Sequence, residues 1–252
     1  MRLPVLEGVI RRRLLVNFRV APDVLQAQLP RPFRPKLQGS YGVAGICLIR
    51  LEHIRPRHVP ALLGVSSENA AHRIAVVWDE PDGTPREGVF IPRRDTGSLL
   101  NHLTGGRVFP GEHHRASFDV QETDRDVSLS MASADGDVAV RVRGSYGGAL
   151  PSTSCFGSLS EASHFFEPGS LGYSATKSAG RLDGLTLRTT QWRVETLEVA
   201  DVYSSYFSDP TRFPPGSATF DCGLAMRNIL HEWHSAADLQ VPGGPPTAEA
   251  AR

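Results

Sequence analysis

Lysine is nearly missing from this chain. Of the 27 basic side chains among 252 residues only Lys36 and Lys177 are lysines, so arginine carries almost all the positive charge. The scarcity limits amine chemistry: an ammonium in a dry pocket can lose its proton and attack a carbonyl, whereas a guanidinium stays charged and offers a fork of donors suited to carboxylate or phosphate. Net charge is missing as well. The 27 acidic residues balance the basic ones, so no global field draws the chain to nucleic acid or to an anionic membrane. Cysteine is scarce, and Cys47, Cys155 and Cys222 are far apart and form no CxxC pair. That argues against a disulfide framework or a structural zinc and for the reducing cytoplasm. No apolar run approaches a membrane span. The Arg11-Arg12-Arg13 cluster leads only into a short stretch broken by Asn17 and Arg19, too brief for a signal peptide.

What is present reads as strands. RRRLLVNFRV predicts a strand entering a short helix at Ala21, with Pro22 and Asp23 suited to its first turn and Pro30 and Pro32 ending it. YGVAGICLIRLEHI, HRIAVVWDE and EGVFIPRR predict three more strands, the last two joined by the turn Pro81 to Thr84. ASFDVQET, VSLSMAS, VAVRVRGSY and LRTTQWRVETLEVADVYSSYF continue the pattern, with a second hairpin at Asp135-Gly136-Asp137. A short helix is expected around Glu161. A third helix is expected from Leu224, with Met226, Ile229, Leu230 and Trp233 on one face. The expected fold class is α+β and mainly antiparallel β, a barrel or sandwich with a few short peripheral helices. One domain is expected over 1–240, followed by a disordered Pro-, Gly- and Ala-rich tail over 241–252.

Two stretches carry a family likeness. FRVAPDVLQAQLPRPF resembles the strand, aromatic-Arg pair, short helix and Pro-bounded loop of the acetoacetate decarboxylase-like superfamily. PREGVFIPRR is similar to that family's segment ending in Pro-Lys-Lys. The likeness covers most of the chain and is nearest to the YqjF-like branch, a domain of unknown function. It implies a β-barrel-like core enclosing a small-molecule pocket. By the same resemblance, Arg93 and Arg94 stand where the decarboxylases carry the Schiff-base lysine and the lysine that lowers its pKa. Arg11 matches an active-site arginine, Glu68 matches one active-site glutamate, and the other falls near Ala44 to Cys47, where no carboxylate exists.

The expected site therefore joins Glu68, Arg93 and Arg94 as catalytic groups with Arg11, His72 and Tyr203 as substrate-binding groups. The arginines would clamp a carboxylate or enolate oxygen, and Glu68 would move protons. Plainer uses stand beside these: Arg93 and Arg94 as partners of Glu87 and Asp95, Glu68 as a partner of Arg73 or Arg11, His72 as a hydrogen-bonded sheet residue, and Tyr203 as a strand core residue. Alternation along a strand sends only one of two adjacent arginines inward. The histidine-rich spots GEHHR, His53 with His58, and HEWH lack HExxH spacing, so neither a metal nor another cofactor is expected. GxSxG, P-loop and dinucleotide motifs are also missing. These features suggest an enzyme without Schiff-base chemistry, a lyase, dehydratase or cyclase on a keto acid or polyketide-like substrate. The alternative is a non-catalytic barrel that binds or senses an anionic metabolite. Exposed sheet edges allow a homodimer.

Overall fold

The structure, a computed structural model, describes residues 4–98, 111–176, 178 and 180–241. Lys177 and residues 242–252 of the expected tail lie outside the described residues, while Val241 is buried and donates its N–H to the Gly180 carbonyl at 2.8 Å. Among the described residues fourteen strands form one mainly antiparallel sheet.

The longest strands are β1 (Leu6–Val20), β4 (Tyr41–Pro56), β5 (Val65–Asp79), β6 (Pro85–Thr96) and β13 (Ala218–Ser235). They lie side by side in the order β13-β1-β4-β5-β6. This wall is shared by two closed rings of strands. The larger ring continues from β6 through β7 (His113–Glu122), β8 (Asp126–Ser133), β9 (Ala139–Tyr146) and β12 (Glu195–Ser204) back to β13. The smaller one continues from β6 through β10 (Leu171–Ala175) and β11 (Arg181–Thr189) back to β13. The short strands β2 (Arg34–Pro35), β3 (Leu37–Gln38) and β14 (Leu239–Gln240) sit at the margins.

Because side chains of a strand alternate between faces, each wall strand feeds two cores. Leu14, Val16, Ile46, Leu48 and Ile74 pack in the larger ring against Leu129, Val140 and Val142. Leu15, Cys47, Ile49 and Met226 pack in the smaller ring against Leu187, and α2 (Leu159–Phe166) covers it with Phe165 and Phe166. Ser158 caps α2 by accepting from the Glu161 N–H at 3.1 Å.

The expected hairpins are at β5–β6 and β8–β9, where Gly83 (φ 84°) and Gly136 (φ 78°) take the left-handed conformation that a side chain disfavours. Helix α1 (Pro22–Ala27) also lies where expected. Two expectations fail. The segment from Leu224 is not a helix but part of β13, paired with β1 from Leu6 through Val20, and Leu230 is 58 % exposed. Its apolar spacing suits either period, and ladder bonds on both edges outweigh helix propensity. The long run ending in VYSSYF is β11, β12 and a single helical turn, α3 (Ser205–Ser208), which buries Tyr206 and Phe207 in the larger core.

Candidate functional site

The smaller ring is not filled. Between its wall and the β10–β11 side is a cavity of about 90 Å³. Its polar lining is dominated by Arg13 from β1, Arg73 from β5 and Arg94 from β6, with Cys47, Asn69 and His113 beside them.

Strand register explains the convergence. Leu15, Cys47, Ala71, Arg94 and His113 are successive partners across β1, β4, β5, β6 and β7, so they share a row and a face. In the neighbouring row Arg13, Ile49, Asn69 and Thr96 are partners, and Thr96 Oγ1 donates to Asn69 Oδ1 at 2.8 Å. On the other side Asn17, Gly45 and Arg73 form a third row. Ala71 is the small residue between Cys47 and Arg94, which leaves room where a longer side chain would fill the ring.

Each arginine is held by neutral partners. Arg13 Nε donates to Cys47 Sγ at 3.3 Å. Arg73 Nη2 donates to Asn17 Oδ1 at 2.6 Å, its guanidinium carbon lies 4.8 Å from the Phe166 ring centroid, and its buried Nε has no partner. Arg94 Nε donates to Ser174 Oγ at 2.9 Å. Among the described residues none of the three pairs with a carboxylate. Burial in this apolar setting pushes both Arg73 and Arg94 down to about 10. Among the described residues the one acidic residue on the lining is Asp95, and its carboxylate turns to the opposite face, where Arg93 engages it through Nε at 3.1 Å and Nη2 at 2.8 Å. A cavity lined by one buried and two partly buried cations without counter-charges favours an anionic guest, since a charge withdrawn from water is costly until it is paired.

Of the six residues expected at the site, only Arg94 lines this cavity. Arg93 points into the opposite face, where Asp95, Asp135 and Asp137 surround it at 2.8 to 3.4 Å. The reason is a bulge: His72 pairs with Arg93 and Ile74 with Phe90, so Ile91 and Pro92 together oppose Arg73 and the alternation of β6 flips. Arg11 is exposed for a similar reason. It is the extra residue of β1 between Ile10 and Arg12, and its guanidinium bonds to Asn228, itself at φ 56°. The bulge hands the cavity position to Arg13.

Glu68 lies on the larger-ring face with the buried Arg12, at 2.6 Å. Burial raises its pKa, and the Arg12 and Arg50 charges oppose that shift. His72 is fully buried 4.5 Å from the Tyr206 ring, and burial lowers its pKa to about 3, so it is neutral. Tyr203 is 43 % exposed beside Arg141. Sequence reasoning missed Arg13, Arg73 and Cys47. The first belongs to the noted arginine run, and the last ends the stretch where a carboxylate was sought. Among the described residues no group of three His, Cys, Asp or Glu side chains is arranged to hold a metal ion, and no helix is long and apolar enough to cross a membrane.

No family model matches the sequence. No curated protein matches it either. The fold, by contrast, has clear relatives. An acetoacetate decarboxylase from Legionella pneumophila superposes with a TM-score of 0.59 at 12 % identity, covering 94 % of this chain and 88 % of that one. An acetoacetate decarboxylase-like enzyme from Sphingomonas wittichii RW1 gives 0.57 at 12 % identity over 94 % and 92 %. The enduracididine biosynthesis enzyme MppR, in complex with pyruvate, gives 0.61 at 8 % identity over 95 % and 91 %. The chain thus has an acetoacetate decarboxylase-like fold.

Proposed function

We propose that the chain is a small-molecule enzyme that holds the carboxylate of a keto acid or polyketide-like substrate on Arg13, Arg73 and Arg94. Its chemistry would be that of a lyase, dehydratase or cyclase without a lysine Schiff base. The observation that carries this reading is the convergence of the three guanidiniums on one cavity, with no carboxylate partner among the described residues. The pyruvate complex of MppR, which shares the fold, supports a keto acid as the guest. Guanidiniums fixed around the cavity would also stabilise an enolate or oxyanion as its charge develops. Lys36, 2.6 Å from Glu87 and off this cavity, is poorly set to act as an amine nucleophile. Membership of the YqjF-like branch, independence of any cofactor, a cytoplasmic setting and a homodimer belong to the same proposal.

Calorimetry with pyruvate and acetoacetate, followed by borohydride treatment and mass measurement, tests it. Saturable binding that weakens in Arg94→Met, with no reduced adduct on either lysine, is expected. A borohydride-trapped lysine adduct would overturn the mechanism, and failure to bind any carboxylate would overturn the reading of the cavity. A second reading, a carrier or sensor of an anionic metabolite, is favoured by the lack, among the described residues, of a carboxylate facing the cavity for proton transfer, since that of Asp95 is held on the opposite face by Arg93. Tight binding without product over long incubation would select it.

A further inference from the structure

Cys47 is the one described side chain on the cavity lining with a sulfur nucleophile, and it is set among cations. Its Sγ accepts from Arg13 Nε at 3.3 Å, and in its row across the sheet the next residue but one is Arg94, with only the Ala71 methyl between them. Two interstrand spacings separate the Cys47 and Arg94 backbones, about 10 Å. A carboxylate on the guanidinium side would bring the adjoining carbon toward the sulfur. An independent sign that the space expects a guest is Arg73, a lining residue only 5 % exposed, whose buried Nε–H has no acceptor.

We infer that Cys47 is a covalent-addition site for the carbonyl of an α-keto acid whose carboxylate is held by Arg73 and Arg94. This rests on the anion reading of the cavity. In the step, a bond forms between Sγ and the keto carbon while the π pair of the C=O bond moves onto oxygen. The thiol proton ends on that oxygen, giving a thiohemiketal. Nothing is oxidised or reduced, and reversal restores thiol and keto acid. Arg13, already bonded to the sulfur, is within reach of the negative charge as it passes from sulfur to oxygen.

The other cysteines serve as internal controls. Cys155 and Cys222 both neighbour Asp221, and burial together with that carboxylate pushes the Cys155 thiol up to about 12 and the Cys222 thiol higher still. Neither lines the cavity.

The test uses the full chain. Native protein is treated with bromopyruvate or with neutral iodoacetamide, and each cysteine is followed by peptide mass spectrometry. Cys47 is expected to favour bromopyruvate over iodoacetamide about tenfold more than Cys155 or Cys222 do. Pyruvate should protect it, and Arg94→Met should abolish the preference. In parallel, [2-13C]pyruvate is expected to give a protein-bound tetrahedral carbon signal that vanishes in Cys47→Ser, while calorimetry of that variant still reports carboxylate binding. Should the native protein bind pyruvate and show only its keto carbon, or should Cys47 label no faster than the other two, the covalent role is wrong and the anion cavity stands. If the native protein binds no carboxylate, the anion reading itself fails and this inference with it. Because the deciding signals come from the native protein, they do not depend on either variant folding.

Discussion

Asn17 and Arg73 meet across Gly45: the arginine on β5 reaches over the glycine on β4 to donate Nη2 to the amide oxygen on β1 at 2.6 Å. A Cβ at Gly45 would come within 2.4 Å of the Val16 carbonyl oxygen and 3.3 Å of Asn17 Oδ1. Gly45→Ala should therefore spread β1 from β4, lower stability by about 1–3 kcal/mol and weaken carboxylate binding as Arg73 shifts. Urea denaturation and calorimetry on the same preparation would measure both.

Arg94→Met should move stability and binding in opposite directions. Replacing this partly buried cation with an apolar side chain of similar length removes desolvation and like-charge repulsion, so the thermal midpoint should rise. Carboxylate affinity should fall at least tenfold, about 1.4 kcal/mol. A lower thermal midpoint with carboxylate affinity unchanged would mean that Arg94 is held for structure alone.

His72 should make the fold acid-sensitive. Both its ring nitrogens are buried without partners, and burial first, then the Arg93 and Arg212 charges, depresses its pKa from 6.5 to about 3. Between those values the unfolded chain binds a proton that the native one refuses. Stability is thus fully present above pH 6.5 and falls by about 1.4 kcal/mol per pH unit on the way down. His231, lowered to about 4 chiefly by burial, adds a second such slope over a narrower window. His72→Phe, set among Tyr206 and Phe207, should remove the first slope while keeping the neutral-pH fold, as denaturant midpoints from pH 4 to 8 would report.

Glu68→Gln should spare the ligand and harm the fold. Glu68 faces away from the cavity and bonds the buried Arg12, which among the described residues keeps Glu122 alone, at 2.8 Å, as an ionic partner when Glu68 is neutralised. A loss of about 3 kcal/mol of stability is expected, with carboxylate affinity within about twofold of the native protein. A large loss of affinity would return Glu68 to the site.

Much of the fold was legible because its signals are local. Asp-Gly and Gly-Asp turns, the Pro22 helix start and strands such as VSLSMAS, whose burial alternates along its length, depend on neighbours in sequence. The segment from Leu224 was misread because its apolar spacing fits helix and strand alike, and β1 on one edge with β11 and β12 on the other decided the matter. At the site, the chemistry of the motif Ile91-Pro92-Arg93-Arg94 was readable, and so was the rule that only one arginine turns inward. Which one does so depends on the bulge opposite Arg73.

The sequence by itself determined that this protein is a mainly antiparallel β fold and that its positive charge is guanidinium, because both follow from residue types and their local order. Only the tertiary structure decided that Arg13, Arg73 and Arg94 share a cavity with Cys47 while Arg11, Arg93 and Glu68 do not. A side chain's face is set by strand register, and one extra residue at Arg11 or in the Ile91-Pro92 pair reverses it without leaving a mark in composition or spacing.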